Sequence, residues 1–167
     1  MKSSITAAMK EAVGTQISRR VSYPVSSSDI RRWSLAVYWP EPPPARYLST
    51  SKSTVVAPEE FNPFGWIEAE TELHPAAVTV DHLNPDRTEK QIGIEGPGLK
   101  YQLNGGMSVE YGVAIRPGDV ITSTNRLSGY AEREGRLGQM LMTTTEDTWI
   151  NQRGEGVKRS TMTLIRY

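Results

Sequence analysis

The residues that could do chemistry fall in four short stretches. Glu41 stands in Trp39-Pro40-Glu41-Pro42-Pro43-Pro44, a run that neither a helix nor a central strand can absorb. A carboxylate held in so stiff a segment is a weak candidate for a general acid or base, and the plainer reading is a solvated glutamate. Ala57-Pro58-Glu59 reads as a helix start, with proline at the first helical position and Glu59 and Glu60 in the first turn. The N–H groups of such a start could hold a developing oxyanion, although Pro58 contributes none. Helix initiation alone would also explain the pattern. Asn104-Gly105-Gly106 could let a ligand approach the backbone closely, or could merely begin or bend a strand. Asp81-His82 with Asn84-Pro85 has acid–base residue types, but Asp, Asn and Pro are turn residues in their own right. Arg46 and Lys52 could meet phosphates, yet scattered basic residues usually face water.

Composition removes several function classes. Lys+Arg and Asp+Glu are 19 each, so the net charge is zero, and no basic run suits general nucleic-acid binding. The chain has no cysteine, which excludes disulfides, thiol catalysis and Cys-ligated metal. With only His74 and His82 a zinc site would depend on carboxylates, and no metal site is expected. No apolar run approaches about 18 residues, and Met1-Lys2-Ser3-Ser4 is followed by no signal-type apolar region. A cytoplasmic location is expected.

The elements that must position these residues follow from pattern. Ile5 to Val13 reads as a short helix ended by Gly14. Thr15 to Val25 reads as a strand, with Arg19-Arg20 suggesting a sheet edge. Ser26 to Asp29 is a helix start, and Ile30, Trp33 and Val37 fall on one face before Pro40 ends the helix. Phe61, Phe64 and Trp66 are core plug or acyl pocket. From Thr71 to Gln102 no period is clean, and prolines and glycines argue for a long ordered loop. Met107 to Ile115 alternates, with Val109, Tyr111, Val113 and Ile115 on one face. Arg116-Pro117-Gly118-Asp119 then turns the chain, with Pro117 and Gly118 suited to a type II turn. Two further glycine turns, at 134–138 and 153–156, complete what reads as a four-stranded antiparallel meander of long strands. Tyr111, Trp149 and Tyr167 are core or dimer-edge residues.

The order of motifs sharpens this. Ser28-Asp29-Ile30-Arg31-Arg32-Trp33 with Ala36-Val37, Ala57-Pro58 with Phe61, Leu103-Asn104-Gly105-Gly106, Arg116-Pro117-Gly118-Asp119, Gly138-Gln139-Met140, and Asn151 with Gly154-Glu155 together resemble the N-terminal domain of MaoC-like hydratases and dehydratases. The resemblance covers about Val13 to Tyr167. It implies an α+β hot-dog fold, a curved antiparallel sheet of five or six strands around a central helix. It implies a single domain over 1–167, with a long loop excursion at about 67–102. It implies two such units paired edge to edge, with an acyl thioester of coenzyme A or acyl carrier protein at the junction. Complete members carry D-x-N-P-x-H, whose Asp and His handle the water proton in R-specific hydration of a 2-enoyl thioester. Here the matching position reads Tyr38 to Arg46, with neither Asp nor His and with Glu41 as its one carboxylate. In Asp81-His82-Leu83-Asn84-Pro85 the histidine lies on the wrong side of Asn-Pro.

The expectation is therefore an acyl-thioester-binding subunit of an enoyl-CoA hydratase or 3-hydroxyacyl dehydratase of fatty-acid metabolism. It would form a homodimer, or a heterodimer with a catalytic MaoC-like subunit carrying the Asp and His. Ala57, Glu59, Asn104, Gly105 and Gly106 are the expected substrate-binding residues, with no cofactor beyond the thioester itself. The rivals are a non-enzymatic acyl-CoA-binding or scaffold module, and a homodimeric hydratase that uses Glu41.

Overall fold

The computed structural model describes residues 3–51, 53–65, 68–74, 83–136 and 138–167. Helix α1 spans Ala7–Glu11, strand β1 Gln16–Ser22, α2 Ser27–Tyr38, α3 Ala45–Leu48 and β2 Glu68–Leu73. Helix α4 spans Arg87–Gln91, followed by β3 Gln102–Tyr111, β4 Ile121–Gly135, β5 Gly138–Asn151 and β6 Gly156–Arg166. Among the described residues the strands form one six-stranded antiparallel sheet in the order β2-β1-β4-β5-β6-β3. It is a curved hot-dog sheet, and α2 is the helix it wraps. Among the described residues no helix is long and apolar enough to cross a membrane.

Helix α2 begins where the sequence places it. Ser26 accepts from the Asp29 N–H at 3.0 Å, and Asp29 accepts from the Ser26 N–H at 3.2 Å, a reciprocal cap. Its inward face puts Ile30 against Ile121, Trp149 and Val157 of the sheet, with Trp33 packed beside them. Val37, expected on that face, is 56% exposed, because the buried stripe of α2 runs through Ile30 and Ser34. Ile17, Leu127 and Ile92 form a second apolar cluster further along the sheet. Near Trp149 the inner face is polar and satisfied. Asp147 accepts from Ser123 at 2.6 Å and from the Trp149 indole at 2.9 Å, and Arg20 lies 3.5 Å from it and stacks on Phe64.

Four local expectations are corrected. No helix follows Pro58: residues 59–60 and 63–64 are turns, and Asn62 accepts from the Phe64 N–H at 3.0 Å. Phe61 and Phe64 still face inward, as a core plug against Trp33 and Trp149, whereas Trp66 lies outside the described residues. Strand β1 is not an edge, since β2 covers it and Arg19 reaches Glu70 and Glu72 across that pairing. The loop excursion at about 67–102 contains β2 and α4. Finally, β3 and β4 are not hairpin partners. β4, β5 and β6 form a meander, but β3 crosses to the far edge and pairs with β6. The Arg116–Asp119 turn serves that crossover. It docks on the entry to α2, with Gly118 N–H donating to the Val25 carbonyl at 2.8 Å and Val25 N–H to the Asp119 carbonyl at 2.9 Å. Gly118 has φ +91°, the left-handed value the turn requires.

Candidate functional site

Strand register builds the site. Tyr111 ends β3 opposite Lys158 of β6, and Lys158 lies opposite Trp149 of β5. Antiparallel partners share a face, so these three side chains form a row. The Lys158 ammonium sits 4.3 Å from the centre of the Trp149 ring. The chain leaving β3 is tied back to the Ala57 segment by Ala57 N–H donating to the Ile115 carbonyl at 2.9 Å. Between these parts lies a cavity of about 60 Å³, with Ala57, Pro58 and Glu59 on one side and Tyr111, Trp149 and Lys158 on the other. Its walls are apolar and its rim is polar.

The rim is partly engaged within the chain. The Tyr111 hydroxyl donates to Glu60. Burial first, and then that hydrogen bond, push the Tyr111 phenol up to about 12. Arg46 donates to the Tyr47 hydroxyl at 2.7 Å and lies over its ring, within electrostatic reach of Glu59.

The structure gathers some expected site residues and separates others. Ala57 and Glu59 line the cavity. Ala57 is no oxyanion donor, because its N–H is engaged by Ile115 and no helix starts after it. Asn104, Gly105 and Gly106 lie at the opposite end of β3, roughly 20 Å from Tyr111 at a strand's rise per residue. They make an edge bulge in which Asn104 accepts from the Gly106 N–H at 2.9 Å. A Cβ on Gly105 would meet Ile165 at 2.9 Å, so packing against β6 accounts for that glycine. Glu41 is exposed and does not line the cavity. Asn84 and Pro85 lead into α4, where Asn84 accepts from the Asp86 N–H at 2.9 Å. Lys52, Asp81 and His82 lie outside the described residues, and among the described residues no cluster could hold a metal ion. Glu60, Tyr111, Trp149 and Lys158 were not anticipated as site residues. Their meeting depends on β3 crossing to β6, which local pattern does not encode.

A second polar centre lies under α4. Arg166 is 1% exposed and Glu89 fully buried. They pair through two bonds of 2.7 and 2.8 Å, with Asp86 at 3.0 Å, Thr143 at 2.7 Å and the Pro85 carbonyl at 3.0 Å. Tyr130 donates to Glu89 at 2.7 Å. Every group except the Arg166 Nε is bonded, and the centre pins α4 to the sheet.

Residues 11–160 match the family described as FAS1-like, dehydratase domain region. No curated protein matches by sequence. Among solved structures the chain is similar to the MaoC-like dehydratase from Rhodospirillum rubrum, at 20% identity and a TM-score of 0.53, over 93% of this chain and 92% of that one. It is similar to the ChsH1-ChsH2 complex from Mycobacterium tuberculosis, at 14% identity and a TM-score of 0.60, over 96% and 88%. It is also similar to the HadBC complex, a 3R-hydroxyacyl-ACP dehydratase from the same organism, at 16% identity and a TM-score of 0.50, over 90% and 95%.

Proposed function

The chain belongs to the FAS1-like dehydratase-region family and has the hot-dog fold, and from that premise we propose that it is the acyl-thioester-binding subunit of an R-specific 2-enoyl-thioester hydratase or 3-hydroxyacyl dehydratase. A partner subunit or domain would contribute the catalytic Asp and His. Hydration needs a base for water and an acid for the α-carbon. The position where the family resemblance expects both bears Tyr38 to Arg46, and its carboxylate Glu41 does not line the cavity. The observation that carries the reading is the cavity itself. About 60 Å³ holds a functional group, whereas small-molecule pockets usually enclose roughly 300–1,000 Å³. In this reading a second chain supplies the remaining walls.

Of the two sheet edges among the described residues, one suits a joining chain better. Edge strand β2 carries Glu68, Glu70 and Glu72, charges that discourage pairing. Edge strand β3 presents Leu103 and Met107, 48% and 66% exposed, with Gly105, Gly106 and Ser108. Its last residue, Tyr111, is on the cavity rim, so a unit added there would also close the site. The ChsH1-ChsH2 and HadBC neighbours are themselves complexes, which supports a partner for this chain.

The test is hydration of crotonyl-CoA by the chain alone and with a co-expressed Asp/His hot-dog subunit. The lone chain should run about 10²- to 10⁴-fold below the pair, the usual cost of a missing acid or base. Robust turnover by the lone chain that collapses in Glu41→Gln would overturn the proposal.

A further inference from the structure

We propose that Lys158 is the donor that holds the thioester carbonyl oxygen, an inference that rests on the function proposed above. The donors lining the cavity narrow the choice. Pro58 has no N–H. The Ala57, Gly112 and Val113 N–H groups donate to the carbonyls of Ile115, Val157 and Gly156, each at 2.9 Å. The Trp149 indole N–H donates to Asp147, and the Tyr111 hydroxyl to Glu60. Among the described residues the Glu59, Ala114 and Ile115 N–H groups are neutral donors that no hydrogen bond occupies, and Lys158 is the charged one. Among the described residues no carboxylate pairs with it, and its ammonium rests on the Trp149 ring in the cavity wall. An aromatic face holds a cation in place while leaving its N–H bonds for another acceptor.

In hydration the water oxygen bonds to the β-carbon and the C=C π pair moves toward the α-carbon and the carbonyl oxygen. The partner's base takes the water proton, and an acid returns one proton to the α-carbon as the pair flows back. The net change is addition of one water. Lys158 exchanges no proton in this sequence. Its positive charge meets the negative charge that develops on oxygen, where a fixed donor in a water-poor site acts most strongly. The cavity admits the carbonyl and its neighbouring atoms, in keeping with its size.

The experiment compares butyryl-CoA with its thioether S-butyl-CoA, which lacks only the carbonyl oxygen. Binding is measured by calorimetry on the full chain, alone and in its complex, for wild type, Lys158→Met and Lys158→Gln. The wild type should prefer the thioester by about 10-fold or more, the usual worth of a hydrogen bond to a charged group. Both variants should lose the preference while binding the thioether as before. Any contact of Lys158 with the CoA phosphates would affect both ligands alike and leave the ratio intact. If the variants keep the wild-type preference, the assignment of Lys158 is overturned and the subunit reading stands. If neither the chain nor its complex binds butyryl-CoA, the subunit reading fails and the assignment fails with it.

Discussion

Replacing Arg166 by Met should be the most damaging single change outside the apolar core. Arg166 and Glu89 have side chains 1% and 0% exposed, and the arginine also holds Asp86. Removing it would leave Glu89 buried with Tyr130 as its remaining side-chain partner, and Asp86 with the Gly98 N–H at 2.8 Å. Breaking a buried pair by deleting one partner costs about 3–5 kcal/mol, because the stranded charge stays desolvated. Against a total stability of about 5–15 kcal/mol that is a large fraction. For a chain of 167 residues it lowers Tm by roughly 6–20 °C. Glu89→Gln alone should cost less, since the substituted amide would still accept from Tyr130. The double variant should be more stable than the sum of the singles predicts, by about 2 kcal/mol, because Glu89 then strands no charge, while Asp86 loses its ion-pair partner in the single and the double variant alike. Urea unfolding followed by circular dichroism measures all four proteins. The local consequence is loss of amide-exchange protection across residues 87–98, where α4 rests on this centre. A cost below about 1 kcal/mol for Arg166→Met, or singles that add within about 0.5 kcal/mol, would refute the reasoning.

Tyr130 and Tyr111 both have phenols raised chiefly by burial, Tyr111 to about 12. A folded value above the unfolded one of about 10 contributes stability that is full below pH 10 and is lost as pH rises, between about 10 and 12 for Tyr111. Urea midpoints should therefore fall above pH 10, and fall less in Tyr130→Phe. Ser26→Ala removes the reciprocal cap of α2 and should cost about 1 kcal/mol in the same assay. Met107→Lys, on the open face of β3, should leave stability within about 0.5 kcal/mol. Light scattering should nonetheless show it weakening pairing with another hot-dog unit, whereas an equivalent change at Glu70 on β2 should not.

Fold class was legible because the signals that fix it are local and mutually consistent. Ser26 and Asp29 specify the start of α2, and Pro117-Gly118 specify a turn whose φ values the chain adopts. Alternation and glycine turns mark long strands, and motif order carried the family. What was not legible were the pairings. A strand that follows another in sequence often lies beside it in space. The crossover of β3 to β6 departs from that tendency, and no residue in Gly112 to Val120 announces it. Strand β2 was hidden for a related reason. Glu68-Ala-Glu-Thr-Glu-Leu73 has almost no apolar face, since an outer edge strand buries little, and its arginine partners lie some fifty residues away.

The candidate site divides along the same line. The sequence singled out Ala57 and Glu59 through a helix start that does not form, and both line the cavity from a non-helical segment. It misjudged Ala57 as a donor, since the Ile115 carbonyl that accepts from its N–H is 58 residues away. It also grouped Asn104, Gly105 and Gly106 with Ala57 and Glu59, although they lie along one strand from Tyr111, at the far end of the same edge. Only the tertiary structure could set Tyr111, Lys158 and Trp149 in a row, because each belongs to a different strand and shares no local pattern with the others. The sequence determined which segments are rigid, which turn and which faces are apolar, all of it through interactions between near neighbours. Which side chains meet around a common space was decided by register between distant strands, where a shift of one residue sends every side chain to the other face.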